Sequence, residues 1–345
     1  MSGDGYRVGV LGATGAVGST ILGVLAERDF PVREVVPFAS SRSAGKQIEY
    51  GDSMLTCVAP DDDSIQSIDI LISSAGGSVS AEWAPRFVEA GAVVIDNTSF
   101  WRMHEDVPLV VPEVNPDAAA QHKGIIANPN CTTAVMIVAL APIHRAAGLE
   151  RLILSSYQAV SGTGQKAIEE LASQSAQVLA GEKVSPPAVY PHRIGFNVLP
   201  QVETFKDGDD YTTEERKVMA ETRKILDLGD EVGISATCAR VPVLTGHSES
   251  INIQTHEDLS PGDCRRILAE APGVAVVDDP GKGLYPMASD AAGRDDVLVG
   301  RIRRDPSHER CLNLWLVGDN LRKGAATNAV QVAELLVERG WLAAS

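Results

Sequence analysis

The sequence predicts an α/β chain in two parts. The first is an N-terminal Rossmann-like doubly wound parallel sheet, and the second is a C-terminal α+β domain with a mainly antiparallel sheet. Three observations predict this. Over residues 6–130 short apolar runs alternate with helical stretches; a glycine-rich turn follows the first run directly; and beyond about residue 151 the runs lengthen and alternate in polarity.

In chain order, YRVGVLG (6–12), EVVPFA (34–39), DILISSA (69–75), AVVIDNT (92–98), LVVPEV (109–114) and GIIANP (124–129) read as strands, with a helix at 16–28 after the first. The second part offers RLILSSYQAV (151–160), GISATCARVPV (233–243), ESINIQT (249–255), DVLVGRIRR (296–304) and CLNLWLVG (311–318), with helices near 164–179, 213–226 and 261–271. Residues 181–212, rich in Pro, Gly and Asp, read as the longest loop. An apolar-periodic helix at 323–339 is expected to return to the first domain. The boundaries expected are 1–133 for a nucleotide-binding domain completed by 323–345, and 134–322 for a catalytic and dimerisation domain. In the last strand Leu312, Leu314 and Leu316 share one face while Cys311, Trp315 and Val317 share the other. Apolar side chains on both faces predict helices on one side and a second subunit on the other, the alternative being a sheet covered on both sides within one chain.

The 345 residues carry 30 basic and 46 acidic side chains, a net charge of −16, so the field of the chain repels polyanions and nucleic acid is not an expected partner. Apolar residues are 44% and charged residues 22%, the composition of a folded globular protein. The N-terminus lacks the basic and apolar regions of a signal peptide, and the longest apolar stretch, Ala134 to Ile143, is interrupted by Pro142. A cytoplasmic protein without membrane contact is expected. Five scattered cysteines without a CxxC pair exclude a disulfide framework and point away from any metal cluster.

Gly9, Gly12, Gly15 and Gly18 recur every third residue between the first strand and its helix. Glycines in that context permit a tight turn and let backbone N–H groups approach a pyrophosphate at the positive end of a helix. The second strand ends in Ala39-Ser40-Ser41-Arg42-Ser43, with no carboxylate to bind a ribose 2′-hydroxyl. Hydroxyls and an arginine suit a 2′-phosphate, so NADP is expected over NAD.

Cys131, in Asn128-Pro129-Asn130-Cys131-Thr132-Thr133, precedes an apolar helix and so falls at its first turn, where the macrodipole favours a thiolate. Cys57, Cys238, Cys264 and Cys311 have no such setting and read as inert. Among the histidines, His104, His122, His144, His256 and His308 lie among charged or helix-surface residues, which leaves His192 and His247 as bases. His247 follows Arg240 by seven residues, so one turn could present both at a cleft.

GATGAVG (12–18), SSRSAG (40–45), VVPEVN (110–115), NPNCTT (128–133), SYQAVSGTGQ (156–165), EERKVMAETRKI (214–225), RVPVLTGHSES (240–250) and GDNLRKGAA (318–326) together resemble the aspartate-semialdehyde dehydrogenase family, end to end and in order. The resemblance implies reductive dephosphorylation of L-aspartyl 4-phosphate by NADPH to L-aspartate 4-semialdehyde, for lysine, threonine and methionine synthesis. It implies Cys131 as acyl-accepting nucleophile, His247 as acid/base and Gln158 as the group that positions the acyl carbon. Arg240 would hold the substrate α-carboxylate, Glu214 would lie near its amino group, and Arg102 and Lys217 would hold the phosphate. The cofactor would lie along Gly12, Ala13, Thr14, Gly15, Ala16 and Val17, Ser40, Ser41 and Arg42, Ser161 and Gly162, and Asn320. No metal is implied, and a homodimer is. The competing readings are N-acetyl-glutamyl-phosphate reductase, with glyceraldehyde-3-phosphate dehydrogenase more distant, and a non-catalytic homologue.

Overall fold

The computed structural model describes residues 5–342, which form two compact units, one of residues up to 130 together with those from 325 onward, the other of residues 131–324. The first unit runs β1 (Tyr6–Leu11), α1 (Ala16–Glu27), β2 (Val32–Phe38), β3 (Gln47–Tyr50), β4 (Ser53–Thr56), β5 (Ile70–Ser73), α2 (Gly77–Glu89), β6 (Val93–Asp96) and β7 (Ile125–Ala127). Its sheet has the order β2-β1-β5-β6-β7, with every pair parallel. Such strands are covered on both faces, and β5 and β6 are accordingly buried at every residue. β3 and β4 form a separate small hairpin that the sequence pattern did not announce.

The segment LVVPEV, expected as a strand, is not one. Only Leu109 bridges to Ala127; beyond it Val114 and Asn115 donate back to the Val111 carbonyl, and the Asn115 side chain accepts from Val111 N–H. Pro112 removes the N–H a ladder would need and the asparagine supplies a turn instead.

The second unit opens on α3 (Cys131–Ala147) and continues β8 (Leu149–Gln158), α4 (Gln165–Leu179), α5 (Thr213–Leu226), β9 (Gly233–Arg240), β10 (His247–Thr255), α6 (Pro261–Ala269), β11 (Val274–Val276), α7 (Ala288–Ala291), β12 (Val297–Arg304) and β13 (Cys311–Gly318). Its six strands lie in the order β11-β12-β13-β10-β8-β9, antiparallel through the centre and parallel at the β8–β9 and β11–β12 pairs. α3 is buried from Thr132 to Ala141 without a polar face, because it lies between the sheet and the helices α5 and α6. α5 starts where a T-x-x-E box predicts: the Thr212 hydroxyl accepts from Glu215 N–H, and the Glu215 carboxylate accepts from Thr212 N–H.

After a π-helical turn at Arg322–Ala326 comes α8 (Thr327–Arg339), which belongs to the first unit. There Val330, Val332, Leu335 and Leu336 share a core with Val8, Val10, Ile21 and Leu25, each buried aliphatic side chain worth roughly 1.5–3 kcal/mol. The expected continuous helix from Lys323 therefore begins as a π turn. Asp319 explains this: its carboxylate accepts from the N–H groups of Leu321, Arg322 and Gly293, while its carbonyl accepts from Gly324 N–H five residues on.

One member of the sheet core works against stability. Glu249 of β10 is fully buried beside Leu316 and Ser156 in register, and neither carboxyl oxygen has a hydrogen-bond partner among the described residues. Burial raises its pKa well above the ordinary 4.5. The folded chain thus holds a proton that the unfolded chain releases, so stability falls as pH climbs above about 4.5 toward the folded-state value. Glu249→Met is expected to raise the melting temperature by several degrees at pH 8, corresponding to about 1–3 kcal/mol for an unsatisfied buried group, and by less at pH 4. Calorimetry at the two pH values checks the sign.

Candidate active site

Strand registry assembles the site. β8 and β9 run parallel with Gln158 opposite Arg240, and β10 runs antiparallel to β8 with Ser248 opposite Tyr157, so His247 comes to the same end. Arg240, Gln158 and His247 therefore share one end of the sheet, although Gln158 is roughly eighty residues from the other two in sequence. Cys131, the first residue of the helix packed on this sheet, completes the row: its Sγ lies 3.2 Å from His247 Nε2. Cys131 is partly exposed, whereas the other four cysteines are buried. Burial pushes the Cys264 thiol up to about 12, and raises Cys57, Cys238 and Cys311 as well. Of the two histidines left open by the sequence, His192 is exposed on the long loop and His247 is fully buried at the sulfur. His122, expected at the surface, is instead buried, bonded to the Trp341 carbonyl and accepting from Gly124 N–H.

Around the pair the backbone of Ala159 ties two side chains together. His247 Nδ1 accepts from the backbone N–H of Ala159 at 3.1 Å, and the Ala159 carbonyl accepts from Arg240 Nη1 at 2.7 Å. Burial first, and the Arg240 cation second, push His247 down to about 3, against an opposing pull from Glu214. Arg240 is almost fully buried, yet its Nε has no partner among the described residues, which leaves a donor for an incoming carboxylate. The Gln158 amide nitrogen donates to Thr132 Oγ1 at 2.9 Å and to Glu214 Oε1 at 3.0 Å, and approaches Ser156 Oγ at 3.3 Å.

Glu214, itself buried, pairs with Lys217 at 2.8 Å, and Lys217 pairs again with Glu203 at 2.5 Å. Burial alone would lower the Lys217 ammonium, but the two carboxylates outweigh it and raise its pKa. Ser161 and Asn320 are joined through Asn320 Nδ2 and Ser161 Oγ at 2.9 Å, and Gly246 N–H fixes Asn320 Oδ1. Gly162 lies against the pair: a Cβ there would stand 3.3 Å from Arg240 Nη1 and 3.4 Å from His247 Nε2.

Sequence reasoning missed Thr132, Ser156, Glu203, the Ala159 peptide and Gly324. Periodicity carries no trace of the first four, since their roles come from registry and loop geometry. Gly324 has a steric signature only in three dimensions: a Cβ would stand 2.9 Å from Cys131 Cβ. Gly324→Ala is expected to displace the nucleophile and cut turnover at least tenfold while the chain stays folded, as circular dichroism and a kinetic assay on the same preparation can check.

The remaining expected site residues lie in the first unit. Gly12, with φ +87°, could not carry a side chain, since a Cβ would stand 2.7 Å from the Ser74 carbonyl oxygen; at Gly18 a Cβ would meet the Gly12 oxygen at 2.2 Å. Helix α1 thus starts tight against β1, with Gly15 as an N-cap that makes no side-chain bond. Gly12, Thr14, Gly15, Ser40 and Ser41 line a cavity of about 470 Å³. Ala13 is buried behind that turn, Ala16 and Val17 begin α1, and Arg42 occupies the following turn without lining the cavity. The glycine turn, the helix start and the hydroxyls fit a dinucleotide pyrophosphate and ribose. Arg102 is buried, with Nε on the Asn128 carbonyl at 2.9 Å and Nη2 on the Asn97 carbonyl at 2.7 Å, beside a Trp101 indole that donates to Ser80.

Comparison with known proteins covers most of the chain. Residues 7–122 match the family model described as semialdehyde dehydrogenase, NAD binding domain, and residues 140–323 match semialdehyde dehydrogenase, dimerisation domain. The aspartate-semialdehyde dehydrogenase of Aquifex aeolicus is 53% identical over 97% of this chain and 99% of that protein. The crystal structure of aspartate semialdehyde dehydrogenase II of Vibrio cholerae complexed with ASA superposes with a TM-score of 0.93 at 44% identity, covering 97% of this chain and 99% of that one. The Candida albicans aspartate semialdehyde dehydrogenase with NADP superposes with a TM-score of 0.75 at 25% identity, over 97% and 99%. The chain belongs to the aspartate-semialdehyde dehydrogenase family.

Proposed function

We propose that the chain reduces L-aspartyl 4-phosphate to L-aspartate 4-semialdehyde and phosphate with NADPH, as a cytoplasmic homodimer supplying lysine, threonine and methionine synthesis. The observation that carries this reading is the Cys131 sulfur at a helix start, 3.2 Å from His247 Nε2, with the buried guanidinium of Arg240 held on the Ala159 peptide that also bonds His247. The Cys131 thiolate forms a bond to the acyl carbon while the bond to phosphate breaks and its electron pair departs with phosphate. NADPH, when bound, supplies the hydride that the resulting thioester accepts.

The chain supplies the rest. Gln158, held by Thr132 and Glu214, orients the acyl group, and His247 serves the oxygen of the tetrahedral thiohemiacetal as its acid/base. Arg240 takes the α-carboxylate through its unpartnered Nε, and Glu214 takes the amino group. Lys217 and Arg102 take the phosphate, two cations for a dianion. Gly12 to Val17 cradle the pyrophosphate, Ser40, Ser41 and Arg42 the 2′-phosphate of NADP, and Ser161, Gly162 and Asn320 the nicotinamide end.

For the dimer, the support is the open face of the second sheet. Tyr157 and Trp315 pack there with tilted rings, 5.5 Å between centroids, beside a groove of about 530 Å³ that Trp315 lines with Ser248, Ser250, Tyr285 and Met287. A second copy would cover it, which sedimentation can test. For the activity, NADP⁺ reduction with L-aspartate semialdehyde should depend on added phosphate. Turnover only with the N-acetylated glutamate semialdehyde, or none with either aldehyde, would overturn the assignment.

A further inference from the structure

We propose that Glu203, on the loop between α4 and α5, sets the affinity of the chain for phosphate: its carboxylate competes with phosphate for the Lys217 ammonium, and phosphate binds there by displacing it. That phosphate goes to Lys217 at all rests on the function proposed above.

Lys217 is not a free cation. Its Nζ donates to Glu214 Oε2 at 2.8 Å and to Glu203 Oε1 at 2.5 Å. With both carboxylates ionised the trio is net negative, so a phosphate dianion that reaches the lysine meets repulsion as well as attraction. One carboxylate has to leave, and the two are not equal. Glu214 has 3% of its side chain exposed, and its other oxygen accepts from Gln158 Nε2 at 3.0 Å, so withdrawing it would break two buried contacts at once. Glu203 has 44% of its side chain exposed, and besides the lysine it accepts from the Thr213 hydroxyl at 2.7 Å. An ion pair so open to water is worth a factor of about two to five in population, so this carboxylate exchanges the lysine for water at little cost. The backbone agrees. Lys217 and Glu214 stand three residues apart on α5, whose start the box of Thr212 and Glu215 fixes, whereas Glu203 lies on the loop in a left-handed conformation, φ +64°. Strain of that kind persists where contacts over-determine it, and the bond to Lys217 is one of those contacts, together with the Gln201 amide on the Glu203 carbonyl at 2.8 Å. The helix supplies the fixed pair and the loop the exchangeable carboxylate.

The exchange makes and breaks no covalent bond; one anion replaces another on the ammonium. It favours a dianion, which brings two charges where Glu203 brings one, and it disfavours monoanions, which gain nothing over the carboxylate already there. Glu203 therefore screens Lys217 from singly charged acids and raises the concentration of phosphate the chain needs, since the apparent affinity falls with the fraction of lysine left to receive it.

The test varies phosphate in the oxidation of L-aspartate semialdehyde at saturating NADP⁺. Glu203→Gln, which removes the charge and keeps an acceptor for Thr213, is expected to lower KM for phosphate about three- to tenfold and to leave KM for the semialdehyde within about twofold of native. In Lys217→Met the same substitution should change kcat/KM for phosphate by less than about twofold, because the ammonium in dispute is gone. An unchanged or raised KM for phosphate in Glu203→Gln would overturn the proposal and make Glu203 a prop for Lys217. A gain that persists in full in Lys217→Met would also overturn it, and would assign the effect to the general field of the chain. Titration calorimetry with inorganic phosphate alone follows the same step without turnover, and the native protein and Glu203→Gln should differ there by the same factor. A protein inactive on the semialdehyde that shows this difference would sink the functional reading and leave the displacement standing; phosphate-dependent turnover with no difference would do the reverse.

Discussion

Cys131→Ala is expected to abolish turnover, to below about 10⁻⁴ of the native rate, while the chain folds and binds NADP as before. The reason lies in the other four thiols. Each is buried, Cys238 and Cys264 within the sheet-and-helix core of the second unit, and burial holds all four in the protonated, unreactive form. None can take over the covalent step. Alanine keeps the Cβ at the first residue of α3 and removes only the sulfur, so the start of the helix stays intact. Parallel measurement of NADP⁺ reduction and NADP affinity decides the matter: appreciable phosphate-dependent turnover in the variant would sink the thioester route, because the other four thiols are buried.

His247→Asn is the second large effect, a loss of about 10² to 10⁴ in kcat. The imidazole spans the distance from the Ala159 amide to the Cys131 sulfur, one ring nitrogen for each. An asparagine amide is shorter and cannot keep both contacts, so whichever bond it retains, the other end of the bridge is lost. NADP affinity should be unchanged. A variant with normal kcat and weakened cofactor binding would move the histidine from the chemistry to the cofactor.

The architecture was legible in the sequence because burial imposes periodicity. The unbroken apolar runs of β5 and β6 mark strands covered on both faces, and the featureless apolar α3 marks a helix enclosed on all sides. LVVPEV misled for the same reason: it is buried like a strand, but Pro112 and Asn115 close it into a turn. Within the site, Cys131 could be named from residue type and local setting, whereas the role of Arg240 and the choice of His247 over His192 needed family resemblance or the strand registry. What the sequence withheld was the bonding between residues distant along the chain. The Ala159 peptide that links Arg240 to His247, and Glu203 that shares Lys217 with Glu214, are decided by loops whose geometry no pattern encodes.

The uneven treatment of the five thiols has a practical side. A chain that exposes one sulfur and buries four behaves toward a mild electrophile as a reagent with a single handle. Peroxide or an alkylating agent reaching it would silence the enzyme while leaving its fold untouched, so damage would be read out as lost flux and not as aggregation. The same arrangement lets a fluorescent label be placed at the reacting carbon's own position without removing any native cysteine, giving a reporter whose only attachment point is the centre of the chemistry.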